Sequence, residues 1–208
     1  MSMQPGLPEI LGLAASVSLL AGWRLYLAVL ATGLAMRLGA LPLPDHLESL
    51  RVLANPWVMG VAGFGAVVEF LADKVAWLDS VWDAIHGFVR PIGGALLTLA
   101  VIDAGDPTTQ AIAFLLGGAG ALVAHGGKAG ARAVVNASPE PFSNMVVSTA
   151  EDVASAGLLW LAYAHPYVAG GIALVLLALT VWLLLLARRV LRRLFGRRSA
   201  APEVTPPS

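Results

Sequence analysis

The chain has 208 residues, 58% of them apolar and only 12% charged, with a mean hydropathy of +0.78 and a formal net charge of zero. A soluble globular domain is nearer roughly 45–50% apolar and about a quarter charged, so this composition excludes an ordinary water-soluble fold and points to one compact bundle in lipid. The absence of cysteine excludes a disulfide framework, a thiolate metal site and a cysteine nucleophile.

No Lys or Arg precedes Arg24, so the positive flank of a cleavable signal is missing and residues 9–37 read as mature membrane structure. The first apolar run, Ile10 to Met36, is interrupted by Ala-Gly-Trp-Arg at 21–24. Arg24 therefore falls near mid-span. Gly22 beside it would let the helix unwind, exposing backbone groups that only a cavity or a protein neighbour can satisfy. The Pro-rich stretch 41–56 reads as a loop with a short interfacial helix at 45–53. A second apolar run covers Trp57 to Ala72 and closes on Glu69, Asp73 and Lys74. Glu69 and Asp73, four apart, share one helix face. Lys74, about a hundred degrees around, is expected to snorkel to the interface, as at an ordinary helix end.

Residues 76–89 read as an amphipathic helix with Asp79, Asp83 and His86 at i, i+4 and i+7. That spacing suits three ligands around a divalent cation, or a proton-shuttling histidine beside two carboxylates, or the polar face of an interfacial helix. Surface helices on membranes usually carry Lys and Arg there; an acidic face favours one turned into the protein. Arg90 follows, and Ile92 to Ile102 is 11 apolar residues, about 16 Å as helix and too short to cross alone. It must recruit residues 84–91 or form half of a re-entrant hairpin. Residues 103–109 read as a turn with Pro107 opening the next helix.

Ala111 to Ala124 leads into a second polar stripe, His125, Lys128 and Arg132, with Gly126, Gly127 and Gly130 between them to admit another backbone closely. A loop at 136–144 precedes a helix over about 145–164 that carries Glu151 and Asp152. After Pro166, Tyr167 to Ala187 gives 21 residues without a charge, about 31 Å of helix, and is the one segment that meets the strict spanning criterion. Six of the 13 basic residues then crowd into 188–198, and residues 199–208 read as a disordered tail.

These segments give an all-α, polytopic membrane helix bundle of about six segments, some broken or re-entrant, forming a single domain over 1–198. The Arg-rich segment 188–198 is the cytoplasmic flank that the positive-inside rule expects and would attract anionic headgroups, so it is not read as a nucleic-acid footprint. With even parity both termini face the cytoplasm, and the expected location is a bacterial inner membrane. "GFGAVV" (63–68) and "GAGALV" (118–123) share a pattern at a spacing of 55, each followed by a lysine-bearing polar end. Either a two-fold parallel repeat of helical hairpins or the Gly/Ala-rich composition alone would give this. Gly-rich faces at 60–65 and 117–120 suit tight packing within one chain or in a homo-oligomer.

Four stretches taken together, "AGWRLYLAVLATGLAMRLG" (21–39), "EFLADKVAWLDSVWDAI" (69–85), "RPIGGALL" (90–97) and 125–153 from "HGGKAGAR" to "STAEDV", resemble the bacterial integral-membrane family catalogued as domain-of-unknown-function family 4126. The resemblance covers roughly 9–190; it implies a membrane class and no mechanism, and carries over no catalytic residue.

Charge in hydrocarbon costs roughly 2.5–3.5 kcal/mol per residue, and such groups face a bundle interior or a wet cavity. The leading expectation is a transporter or channel-like protein for a small charged solute or ion. Arg24, Glu69, Asp73, Lys128 and Glu151 would line one polar cavity, with Asp79, Asp83 and His86 near its inner mouth and Lys74, Arg90, His125, Arg132 and Asp152 completing the set. The alternative is a structural or lipid-handling protein whose charges only pair. A third reading, a metal-dependent intramembrane enzyme using Asp79, Asp83, His86 and His125, has no hydrolase, zincin or Walker signature behind it, so no enzyme activity and no cofactor are expected.

Overall fold

The computed structural model describes residues 7–40, 51–102, 106–136 and 141–195. Asp45, Glu48, Asp103, Arg197, Arg198 and the tail 199–208 lie outside them, as does most of the expected interfacial helix 45–53, whose described residues 51–53 fall in a 3-10 turn over 51–54. Among the described residues there are six helices and no strand: α1 (Leu7–Arg37), α2 (Pro56–Ala72), α3 (Ala76–Val101), α4 (Pro107–Asn136), α5 (Pro141–Ala164) and α6 (Pro166–Phe195).

Proline sets most of the starts. Four of the six helices open on Pro56, Pro107, Pro141 or Pro166, where the missing N–H is one the first turn does not use. Asn55 caps α2 by accepting the Trp57 N–H at 2.8 Å. Asp106 caps α4, accepting the N–H groups of Thr108 and Thr109 at 2.9 and 3.0 Å and the Thr109 hydroxyl at 2.5 Å. The Thr109 hydroxyl and then its N–H hold the exposed Asp106 carboxyl below its ordinary value of 3.8.

Residues 92–102, too short to cross alone, recruit their neighbours: α3 runs unbroken for 26 residues, about 39 Å, through Pro91. It is therefore neither re-entrant nor half a hairpin. Pro91 has no N–H for the Gly87 carbonyl, a defect that membrane helices tolerate when neighbours cover it. The helix that does break is α1, and it breaks at Arg24 itself (φ −142°, ψ 71°) rather than through Gly22. Gly22 stays helical and packs instead against Ala121 and Ala124 of α4, where no side chain would fit.

α1 is the hub and touches all five other helices. Ala14, Ala21, Ala28 and Ala35 are buried along it at intervals of seven, and Gly12 meets Gly170 of α6 almost backbone to backbone. Of the glycines expected to draw backbones together, Gly127 lies on Thr180 of α6, while Gly126 and Gly130 face open space. Gly65 and Gly120, 55 apart in the paired "GxGAxV" patterns, both pack on α1, against Tyr26 and Ser18.

The distribution of polarity is inverted relative to a soluble protein. Alanine, serine and a set of charges fill the interior, while Trp57, Phe64, Phe88, Leu115, Val153 and Leu174 stand exposed. Among the described residues, five helices, Leu11–Arg37, Ala76–Val101, Pro107–Val135, Met145–Ala164 and Pro166–Val190, are long and apolar enough to cross a membrane, and α2 is apolar but shorter. The chain is a multi-pass integral membrane protein.

Candidate functional site

The residues singled out as site candidates form two ion-paired clusters, centred on Asp73 and on Arg90, with His86 beside the second. Arg24, Glu69, Asp73, Asp79, Asp83, His86, Arg90, His125, Lys128 and Arg132 are buried; Lys74, Glu151 and Asp152 are about four-fifths buried at their side chains. The tight α2–α3 turn at 73–75 and the polar faces of α3 and α4 bring them to one end of the bundle. From there the lattice extends along α3 to Arg90, about 20 Å by helical rise.

Asp73 is the centre of the first cluster. Expected to line the polar cavity, it is instead fully buried behind it and gathers cations from two helices. Arg24 Nη1 lies at 2.7 Å, Lys128 Nζ at 2.8 Å and Arg132 Nη2 at 3.6 Å from its carboxylate. Arg132 also donates to the Asp73 backbone carbonyl at 2.7 Å. Burial alone would raise the Asp73 carboxyl, but Lys128, Arg24 and Arg132 more than offset that and hold it below its ordinary 3.8. Lys128 also donates to the carbonyl of Trp23 at 3.2 Å, so the break in α1 presents a backbone acceptor to a buried ammonium. Arg24 reaches on to Asp152 with its other nitrogen. Lys74 does not snorkel outward: it crosses Phe70, pairs with Asp152 at 3.0 Å and donates to Ser148 at 3.2 Å.

Arg90 is the centre of the second cluster. Its Nη2 meets Glu69 at 2.8 Å, and its Nη1 meets Asp83 at 2.8 Å and His125 Nδ1 at 2.5 Å. One guanidinium thus ties α2, α3 and α4 together. His86 lies on the same α3 face. Its Nδ1 donates to the Trp82 carbonyl at 2.8 Å, its Nε2 faces the Tyr26 hydroxyl at 3.0 Å, and its ring stacks on Trp82 at 4.2 Å. Both ring nitrogens of His86 are thus engaged by protein groups. Among the described residues no group of three or more His, Asp or Glu is arranged to hold a metal ion.

The clusters meet at a cavity of about 350 Å³ between α3 and α4, lined by Asp79, Ser80, Asp83, Ala84, Gly87, His125, Ala129, Arg132 and Ala133. Ser80, Ala84 and Ala133 are exposed at its rim, while Asp79, Asp83, His125 and Arg132 are buried at its floor. Ser80 lies one turn from the start of α3 and Ala133 one turn from the end of α4, so this part of the rim is at the bundle end. Small residues make the space. A methyl added at Gly87 would lie 3.6 Å from His125 Nε2. Arg132 links the floor to the first cluster, with Nε 3.6 Å from Asp79 and 3.4 Å from Glu151. Not all the candidates line this space: Arg24, Glu69, Asp73, Lys74, His86, Arg90, Lys128, Glu151 and Asp152 stand behind or beside its walls.

The pairings could not be read from the sequence, because they join residues as far apart as Arg24 and Asp152. Tyr26, Trp82 and Ser148, which complete the polar contacts, carried no sequence signal that separated them from lipid-facing neighbours. A sequence profile of the family described as "Domain of unknown function (DUF4126)" matches residues 11–185 of the chain. Neither a curated protein nor a solved structure matches it.

Proposed function

From the premise that the chain belongs to the DUF4126 family, whose description assigns no activity, we propose that it is a small transporter or channel-like protein for a small charged solute or ion. The observation that carries this reading is the junction of the two charge clusters at a cavity with exposed rim and ionic floor. Five cations (Arg24, Lys74, Arg90, Lys128, Arg132) face six carboxylates (Glu69, Asp73, Asp79, Asp83, Glu151, Asp152) in pairs across α1 to α5. A solute that enters by the α3–α4 mouth can exchange partners with Asp79, Asp83 or Arg132 without facing hydrocarbon. The protein acts in a bacterial cytoplasmic membrane, with both termini inside and the exposed arginines that follow the α6 span, Arg188, Arg189 and Arg192, against anionic headgroups.

Purified protein in liposomes, loaded in turn with protons, alkali cations, halide, phosphate and small metabolites, tests this. Flux that Glu69→Gln abolishes supports it; no flux of any of these, with Glu69→Gln silent in cells, refutes it.

The structural alternative has one observation in its favour: each of the five cations already has a carboxylate partner within 4 Å. Replacing the Glu69–Arg90–Asp83 triad together by Leu, Met and Leu separates the two. A buried ionic triad exchanged for apolar residues of similar size is often neutral for stability. A folded, fully functional triple variant establishes the structural reading, and a folded, inactive one the transport reading.

A further inference from the structure

Among the described residues, His125 is the one ionisable ring that both belongs to an ion-paired cluster and lines the cavity. Its Nδ1 lies 2.5 Å from Arg90 Nη1. A guanidinium has donors only, so Nδ1 must be the acceptor and the ring must be neutral, with its hydrogen on Nε2. Nε2 lies on the side of Gly87, towards the cavity. The contact therefore exists in one protonation state and is forbidden in the other.

We propose that His125 is a proton-binding site whose loading releases Arg90 and loosens α4 from α3 at the cavity. The second proton goes to Nδ1; two N–H groups then face one another and the Arg90–His125 bond is lost. Arg90 keeps Glu69 and Asp83, so its charge stays compensated. Asp83, on the cavity floor beside the ring, supplies the counter-charge for the imidazolium. The groups that face His125 are Arg90 and Asp83 from α3 and Lys128 from its own helix. Asp79 and Arg132 share the cavity wall, α1 packs its backbone at Gly22 and sets Tyr26 beside Glu69 and Arg90, and α2 acts through Glu69 on Arg90. The assignment rests on the transport reading in one respect, that it makes the proton the coupling ion.

The chain has no cysteine, so Ala129→Cys gives a single reporter on the cavity wall. Its rate of modification by a membrane-impermeant methanethiosulfonate is measured in detergent from about pH 8 to about pH 5, the window in which an imidazole changes charge. Each rate is divided by that of the same cysteine in a His125→Gln background, which removes the ionisation of the thiol itself. The ratio is expected to rise at least about fivefold as pH falls, the lower end of ordinary coupling between sites. The same rise is expected with His86→Gln and no rise with Arg90→Gln. A flat ratio, or a rise that vanishes with His86→Gln, overturns the proposal. If His125→Gln does not fold, ring ¹⁵N resonances of the histidine-labelled protein decide: His125 must gain its proton on Nδ1 in this window, and a ring that stays neutral overturns it. Labelling needs no transport. Liposomes that move no ion while the His125-dependent profile persists refute the transport reading alone, whereas flux with a flat profile refutes the proton site alone.

Discussion

Asp73→Asn is the most demanding test of the lattice. The substitution keeps the shape of the side chain and removes its charge. Two short ion pairs, to Arg24 at 2.7 Å and to Lys128 at 2.8 Å, keep an oxygen acceptor but lose its charge; bonds of this charged kind are each worth about 1.5–3 kcal/mol. The damage is unequal. Arg24 retains Asp152, whereas Lys128 retains, of its hydrogen bonds among the described residues, only the one to the Trp23 carbonyl. Removing one partner of a buried pair typically costs about 3–5 kcal/mol, most of it from the charge left behind. Asp73→Asn should therefore cost about 4 kcal/mol, and adding Lys128→Met should return about 2 kcal/mol or more. Unfolding in mixed detergent micelles, followed by tryptophan fluorescence, measures both; Trp23 and Trp82 report from the lattice itself. The pH dependence has a fixed sign. Because the folded Asp73 carboxyl lies below 3.8, its contribution is complete above that value and is lost only as pH falls through the lower folded value. The wild type should show this acid step and the Asn variant should lack it. If the two single effects add to within about 0.5 kcal/mol, Lys128 does not depend on Asp73 and the reasoning is wrong.

Three further outcomes are expected. Gly87→Ala places a methyl in ordinary contact with His125; it should raise stability by up to about 1 kcal/mol through helix propensity while lowering flux in liposomes, since the cavity narrows. Gly94→Ala drives a methyl into Ala121 and the Gly117 carbonyl and should cost about 1–3 kcal/mol by overpacking α3 on α4, read in the same micelle assay. Asp106→Ala removes the α4 cap and should lower stability above pH 3.8 but not in strong acid, where the wild-type carboxylate is itself protonated.

Helix starts were legible because they are local: a proline after a capping or turn residue needs no tertiary information, and Pro107 and Pro166 stand where the punctuation put them. The continuity of α3 was not, because a run of 11 apolar residues carries no sign of whether its charged neighbours will be sheltered. Arg90 answers this by meeting Glu69 and His125 from two other helices. The stripes at 79, 83, 86 and at 125, 128, 132 could be read from helical periodicity, so their inward faces were foreseeable. The inward turn of Lys74 was not, since a lysine beside a helix end has the same sequence whether it snorkels or finds Asp152. Nor was the split of the candidates between cavity floor and the wall behind it, which depends on the small residues Ala84, Gly87 and Ala129.

The hub position of α1 has a consequence for biosynthesis. It precedes in the chain every helix it touches, and Arg24 enters the bilayer before either of its carboxylates has been made. Asp73 arrives with the end of α2, and Asp152 only with α5, 128 residues after the arginine. Until then the nascent protein holds an unneutralised guanidinium at a flaw in its first rod, which must lodge against the insertion machinery or reach for the headgroups. Ribosome-stalled intermediates ending before residue 73 should therefore remain crosslinkable to the insertase through α1, and those extending past α5 should have left it.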